Sequence, residues 1–407
     1  MVGLMFHRFG PYHLARLQAA IDSCNQKIIG LELSQSDSIY KWDKTQSELP
    51  IITIFEREDI LKMPGKKIYK GIKNTIKKHQ LSALAVQGWT PWGIAGILAA
   101  RDLNIPIILM SESNQHDFKR HPLKEFLKKL SLKLCDTALV GGESHKKYLM
   151  SLGFPTKHIF KGYDAIDNKY FQDQSQQINY SIESTEIKLG LHKGFFLSSN
   201  RFIEKKNLFR LIDAYSKYRQ KKSSPQNLVM LGDGELKNEI LSYIQEKEIP
   251  YYTHKSSSML NDSEGFIYLP GFMQYDELPL FYSLAKCFVH VSTTEQWGLV
   301  VNEAMASSLP IILSKTCGCS SELFDGNGYL IDPYSVDEIF QALQQIDDLS
   351  TKELMNFEKQ SNSIIENWGP QKFGSSFNKA LGAVQTSSSD RHIIIKYILK
   401  SYLQLIK

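Results

Sequence analysis

The chain has 407 residues, 42% hydrophobic and 22% charged, which is too long for one ordinary core and is the balance of a soluble globular protein with two domains. Cys24, Cys135, Cys287, Cys317 and Cys319 are odd in number and scattered, which suits a reducing compartment better than a disulfide framework, and Cys317-Gly-Cys319 lacks a second pair to complete a zinc site. The net charge of +5 is uneven, with 26 Lys+Arg against 19 Asp+Glu in residues 1–190 and 22 against 24 in residues 191–407.

In chain order, Val2 to Phe6 reads as a first strand, and Gly10-Pro11 as a turn into a helix. Lys27 to Leu33 and Leu49 to Phe55 are further strands. Residues 61–80 hold seven lysines and no acid, with Ile68, Ile72 and Ile76 at helical spacing. Leu84 to Gly88 is a strand and turn ahead of an apolar helix, Ile94 to Ala100. Ile105 to Met110 is a strand that ends in the polar loop 111–117. Leu123, Leu127, Leu130 and Leu134 form a helical stripe among lysines, and Thr137 to Val140 closes the series. Repeated β-then-α order predicts a parallel sheet with helices on both faces.

Residues 172–192 are rich in Gln and Ser without a clear period and are expected to be a linker. The alternation then restarts. Strands are predicted at Phe195 to Ser198, Leu228 to Leu231, Phe266 to Leu269, Cys287 to Val291, Pro310 to Leu313 and Gly328 to Ile331. Residues 253–265 read as a surface excursion, and the tail from Thr351 as mostly helical. The expected organisation is an α/β chain of two Rossmann-like, doubly wound domains facing each other across a ligand cleft. The domains are residues 1–171 and 193–350, with residues 351–407 expected to cross back to the first.

The most informative stretch is Thr294 to Ala306, where Glu295, in a loop after a strand, and Glu303, about a turn into the following helix, stand eight apart. That is where unpaired N–H groups and the helix dipole favour an anion. A second loop, Ser199 to Asn207, also follows a strand and precedes a helix, and its Arg201 and Lys206 supply two cations for a diphosphate. Gly232-Asp233-Gly234 and Gly271 end strands of the same half, where glycine lets a ligand approach the backbone.

These residues resemble glycosyltransferase family 4, the retaining GT-B enzymes of the "glycosyl transferases group 1" type. Glu295 and Glu303 match the family's Glu-x7-Glu motif. Arg201 and Lys206 match its Gly-Arg-Leu…Glu-Lys-Gly motif, with Asn200 for the first glycine and Asn207 for the last. Ser321-Glu322-Leu323 and Asp325-Gly326-Asn327-Gly328 fit as well. The resemblance implies a transferase that moves a sugar from a nucleotide-diphosphate sugar to a hydroxyl acceptor, a glycan or a lipid-linked one, with retention.

On that resemblance Arg201 and Lys206 neutralise the diphosphate, Glu303 accepts from the ribose hydroxyls, and Glu295 lies by the donor sugar. Backbone N–H groups around Trp297, Gly298 and Leu299 complete the cradle, with Asn200, Gly232 and Gly271 alongside. No cofactor or metal is expected, since the chain has no Asp-x-Asp. The amino half departs from the family, lacking its glycine-rich first loop. Candidates for the acceptor side there are His13, Arg16, Glu112 and His116. A sugar phosphorylase or an epimerase on the same fold, or a non-catalytic binding subunit, are the competing readings.

No apolar run reaches the ~18 residues of a transmembrane helix, and no cleavable signal is expected. The expected location is cytoplasmic. The basic segments 61–80 and 119–133 suit peripheral contact with an anionic membrane, with solvated helix faces as the alternative. The lysines lack the interleaved aromatics of a nucleic-acid surface, so no nucleic acid is expected as a partner.

Overall fold

The computed structural model describes residues 1–35, 47–56, 58–117, 120–253, 265–384 and 393–405. The chain forms two compact units, Met1–Ile166 with Trp368–Lys407, and Asp167–Asn367. In the first unit the strands are β1 (Val2–Phe6), β2 (Ile28–Ser34), β3 (Ile51–Phe55), β4 (Ala83–Gln87), β5 (Ile107–Ser111), β6 (Thr137–Val140) and β7 (Ile159–Lys161). Its helices are α1 (Pro11–Ser23), α2 (Gly65–Lys78), α3 (Pro91–Arg101), α4 (Pro122–Leu132) and α5 (Glu143–Ser151).

The second unit begins with α6 (Asn168–Asn179) and α7 (Ile182–Leu189). There follow β8 (Phe196–Ser199), α8 (Leu208–Lys221), β9 (Leu228–Leu231), α9 (Lys237–Glu246), β10 (Tyr251–Tyr252), β11 (Ile267–Gly271) and α10 (Leu278–Leu284). Then come β12 (Cys287–His290), α11 (Leu299–Ala306), β13 (Ile311–Ser314), α12 (Ser320–Leu323), β14 (Gly328–Ile331), α13 (Val336–Asp348) and α14 (Thr351–Glu366). Helices α15 (Pro370–Gly382) and α16 (Ile393–Leu405) belong again to the first unit.

Each unit has one seven-stranded sheet, ordered β3-β2-β1-β4-β5-β6-β7 and β10-β11-β9-β8-β12-β13-β14. Every pairing is parallel, for example Val2 with Ile28 and Phe288 with Ile311. The central strands are apolar on both faces because helices cover both, and β1, β5, β6, β9, β12 and β13 are buried throughout. In each sheet the strand order reverses once, between β1 and β4 and between β8 and β12. That reversal opens the crevice in which doubly wound sheets hold ligands.

The expected linker at 172–192 is instead largely helical. Phe171, Ser175 and Ile178 form the buried face of α6, while the glutamines that suggest a structureless stretch lie mostly outward. Ser175 is joined to α10 by a hydrogen bond from Ser283. Helix α14 stays with the second unit, and it is α15 that returns to the first. There Phe373, Phe377 and Ala380 join Val2, Leu4, Leu17 and Ala20 in one core. Gly374 sits where a Cβ would lie 2.3 Å from the Ala19 carbonyl oxygen, so α1 and α15 meet backbone to backbone. Of the expected surface excursion, residues 254–264 lie outside the described residues.

Candidate active site

The second unit's reversal point is framed by the loops that leave β8 and β12. After β8, residues Glu204–Lys206 make a single 3-10 turn, which turns two consecutive lysines toward the β12 loop. Asn207 ends that turn with φ +60°, the left-handed conformation that asparagine tolerates better than most residues. This explains how it stands where the family has glycine. Its amide also donates to the Val291 carbonyl at 3.0 Å and to the Pro333 carbonyl at 2.7 Å. The Thr293 N–H donates to the Lys205 carbonyl at 2.9 Å, so the two loops are bound backbone to backbone.

Glu295 is the meeting point. Its Oε2 is in contact with the Lys206 ammonium, its Oε1 lies 3.4 Å from Lys205 Nζ, and His290 Nε2 lies 3.6 Å from Oε2. Burial alone would raise the Glu295 pKa. Lys206, His290 and Lys205 together outweigh it and hold the carboxyl well below the usual carboxylate range. His290 is fully buried, which lowers its pKa against the pull of Glu295, so its ring is neutral at neutral pH. The backbone of Glu295 is fixed too, by a parallel bridge to Cys317 and by the Gly318 N–H donating to its carbonyl at 3.1 Å.

Gly298 heads α11 with φ +101°, and a Cβ there would approach Glu295 Cγ to 3.4 Å and His290 Nε2 to 3.6 Å. Leu299 starts the helix, and its opening N–H groups point toward this loop for the general reason that a first turn has no intrahelical acceptors. Trp297 is buried and donates from Nε1 to Asn302 Oδ1 at 2.9 Å. Its ring is therefore core.

Glu303 lies on the inner side of α11, fully buried, accepting from the Tyr282 hydroxyl at 2.7 Å. Arg201 is exposed and makes no ion pair among the described residues. Asn200 donates to Ser198 Oγ at 2.8 Å, and its buried Oδ1 has no partner among the described residues. Gly232, at φ +131°, leaves no room for a side chain, since a Cβ would stand 1.7 Å from the Asn200 carbonyl oxygen. Its N–H donates to the Gly271 carbonyl at 2.8 Å. The structure thus gathers Glu295 and Lys206 with two residues not singled out from sequence, Lys205 and His290. Lys205 is signalled only by adjacency, and His290 is hidden in an apolar strand.

In the first unit, three of the four acceptor-side candidates come together. His13 accepts from the Gly10 N–H at 3.2 Å, and its ring centroid is 4.4 Å from that of Phe6. Burial, then Arg16 and His7, lower its pKa to about 3. Arg16 is buried, donates from Nε to the Ala165 carbonyl at 3.0 Å, and lies 3.7 Å from Asp164 and 4.7 Å over the Tyr163 ring. Burial and the neighbouring Glu112 raise the Asp164 pKa well above its ordinary value against the pull of Arg16. His116 is apart, on an exposed turn where its N–H donates to Asn114 Oδ1 at 2.9 Å.

Residues 182–364, which include this whole lysine–glutamate loop system, match the family described as glycosyl transferases group 1. Over 94% of this chain and 99% of the other, the fold superposes with a TM-score of 0.68 and 13% identity on Anabaena HepE, solved in complex with UDP and glucose. The chain has the GT-B fold, and its second unit carries a glycosyl transferases group 1 region. Among its relatives is the alpha-monoglucosyldiacylglycerol synthase of Streptococcus pneumoniae, 25% identical over 68% of this chain and 59% of that protein. Another is the Acholeplasma laidlawii protein of the same name, 24% identical over 64% of this chain and 68% of its own length. The match thus spans about three fifths to two thirds of these relatives. Among the described residues, no helix is long and apolar enough to cross a membrane.

Proposed function

We propose that this protein is a retaining glycosyltransferase of family 4, moving a sugar from a nucleotide-diphosphate donor to a hydroxyl on a glycan or glycolipid. The observation that carries the proposal is Glu295 held by Lys205, Lys206 and His290 at the sheet reversal, directly ahead of the α11 amino terminus. In the free protein Glu295 serves as counter-ion to the lysines. An arriving diphosphate offers them more charge, so Lys206, with Arg201 and the α11 N–H groups, turns to the leaving group as the glycosidic bond breaks.

Glu295 then faces the sugar, where a carboxylate held ionised steadies the cationic character of the transition state. The acceptor hydroxyl attacks from the face the nucleotide leaves, forming the new C–O bond as the old one breaks, and its proton passes to a departing phosphate oxygen. Glu303, braced by Tyr282, is assigned to the ribose. His13, Glu112 and, through them, Arg16 are assigned to the acceptor side. Because cations of the chain neutralise the diphosphate, turnover is expected to persist in EDTA.

We take diacylglycerol as the leading acceptor, after the names of the relatives, and UDP-glucose as the leading donor, after the HepE complex with that nucleotide sugar. Such an acceptor supports a location at the cytoplasmic membrane face, as do the exposed lysines of α2 and α4. A thermal-shift screen of UDP, GDP, ADP and their sugars tests donor binding, since a ligand of the folded form raises its midpoint. NMR of the product's anomeric proton tests retention. A response to no nucleotide contradicts the assignment, an inverted product contradicts the retaining class, and loss of turnover in EDTA contradicts the metal-free mechanism.

A further inference from the structure

Helices α6 and α14 both pack on α11, and a groove of about 610 Å³ remains between them. Its floor is made of small residues, Ser283 and Ala285 at the end of α10 and Ser307 and Ser308 at the end of α11. Ser283 donates to Ser175 Oγ at 3.2 Å, and Asn362 Nδ2 donates to Ser308 Oγ at 2.9 Å. Short side chains thus join the helices across the floor and leave the space above them open. The groove lies wholly within the second unit, at the carboxyl end of α11. The amino end of that helix is at Glu295, and its eight residues set the two ends about 12 Å apart.

The walls are polar. Gln172, Gln176 and Asn179 repeat along one face of α6, as Glu358, Asn362 and Glu366 do along α14. Of the residues that line the groove only Ala285 and Leu309 are apolar, so a hydrocarbon or aromatic ligand finds almost no surface there. Lys169 is taken by Asp173 at 2.6 Å, which leaves Glu358 and Glu366 to make the groove negative and turn anions away. The side chains of Gln172, Gln176, Asn179, Glu358 and Glu366 make no hydrogen bond with another described residue. Glu358 is nevertheless half-buried, and burial raises its pKa above the usual carboxylate value. A carboxylate so placed gains from hydroxyl donors, and the amides beside it both donate and accept. A neutral molecule carrying many hydroxyl groups supplies both kinds of partner at once.

We propose that the groove between α6 and α14 is a second ligand site, distinct from the candidate active site, which takes a neutral oligosaccharide through hydroxyl hydrogen bonds to Gln172, Gln176 and Glu358. It also gives the glutamine-rich stretch of the chain a task, since α6 sets two of those glutamines on the groove wall. Such a site needs no donor and holds a glycan chain independently of the proposed transfer reaction.

The test is saturation-transfer NMR on the full chain with short neutral oligosaccharides of glucose, galactose, mannose and N-acetylglucosamine, each titrated alone. At least one is expected to bind. The variant Gln172→Ala/Gln176→Ala/Glu358→Ala is expected to weaken that binding by at least about tenfold with no fall in the unfolding midpoint, since these side chains hold nothing else in the fold. Gln176→Trp, at an exposed position of α6, is expected to block the groove and lose binding as well. Binding of none of these sugars overturns the proposal, as does wild-type affinity in either variant, which would put the sugar elsewhere. Binding of spermine with no sugar bound overturns it too, because the carboxylates would then be holding a cation. Nucleotide thermal shifts, run on the same variants and expected to be unchanged, separate this site from the proposed activity. A nucleotide response without oligosaccharide binding removes the groove site alone, and oligosaccharide binding without any nucleotide response removes the activity alone.

Discussion

Lys206→Ala probes the centre of the proposed site, because it removes a charge that serves two partners in turn. In the free protein Lys206 and Glu295 have side chains only 12% and 11% exposed, and stripping one partner from a buried pair costs about 3–5 kcal/mol. Here Lys205 at 3.4 Å and His290 at 3.6 Å stay behind to hold the carboxylate. The expected cost is therefore smaller, about 1–2 kcal/mol, or a fall of roughly 2–8 °C in midpoint for a unit of this size. The pH dependence follows from the depressed Glu295 pKa. Its contribution is full above the unfolded value of 4.5 and is lost as pH falls through the lower folded value. Below pH 4.5 the variant's stability should therefore decline less than that of the wild type. In catalysis the loss of one preorganised charge on the leaving group is worth about 3–4 kcal/mol, or 10²–10³ in kcat. The assay is release of the nucleoside diphosphate under saturating donor, run beside a thermal melt. A variant that folds and turns over within threefold of the wild type refutes the role given to Lys206, whatever its stability.

Glu295→Gln should keep the fold and lower kcat by about 10² or more, and a loss confined to KM would move Glu295 from the transition state to ground-state binding. Gly298→Ala forces a Cβ into the left-handed region and toward Glu295 Cγ, at about 1–2 kcal/mol, so both midpoint and kcat should fall, and an unaffected kcat would show that the loop tolerates displacement. Tyr282→Phe removes the hydroxyl that donates to the buried Glu303 carboxylate and should cost about 1–3 kcal/mol, measured by denaturant midpoint. His13, with its pKa lowered to about 3, should show no ring titration by NMR between pH 5 and 8. The unfolded chain takes up this proton near 6.5 and the folded chain does not, so His13 reduces stability progressively as pH falls below 6.5. A titration midpoint near 6.5 would falsify its enclosure by Phe6 and Arg16.

Strands buried on both faces announce themselves as unbroken apolar runs, which is why most of the two sheets could be placed from residues alone. Short edge strands such as β7 and β10 carry three residues and two, too few to stand out from a loop. Helix α6 was illegible for a different reason. Its buried stripe mixes Phe171 and Ile178 with Ser175, and its polar face is written in glutamine, a composition shared with linkers. At the site, the approach of Glu295 to Lys206 across 89 residues depends on where two loops emerge from adjacent strands, and family resemblance implied it where local pattern could not. The burial of Arg16 was equally hidden, because its acceptors, the Ala165 carbonyl and Asp164, lie some 150 residues away in the chain.

The return of α15 to the first unit has a consequence for how the protein is made. Its phenylalanines complete the core begun by β1 and α1, yet all of Asp167–Asn367 must be synthesised in between. At ~5–20 residues per second that interval is roughly 10–40 s. Throughout it, the surface of α1 that Gly374 and Phe373 will cover is open to water. The second unit, by contrast, is continuous and can close its sheet as soon as it has emerged. The half of the molecule that is translated first is therefore the half that finishes last, and its uncovered apolar face is the natural point at which a chaperone would engage the nascent chain.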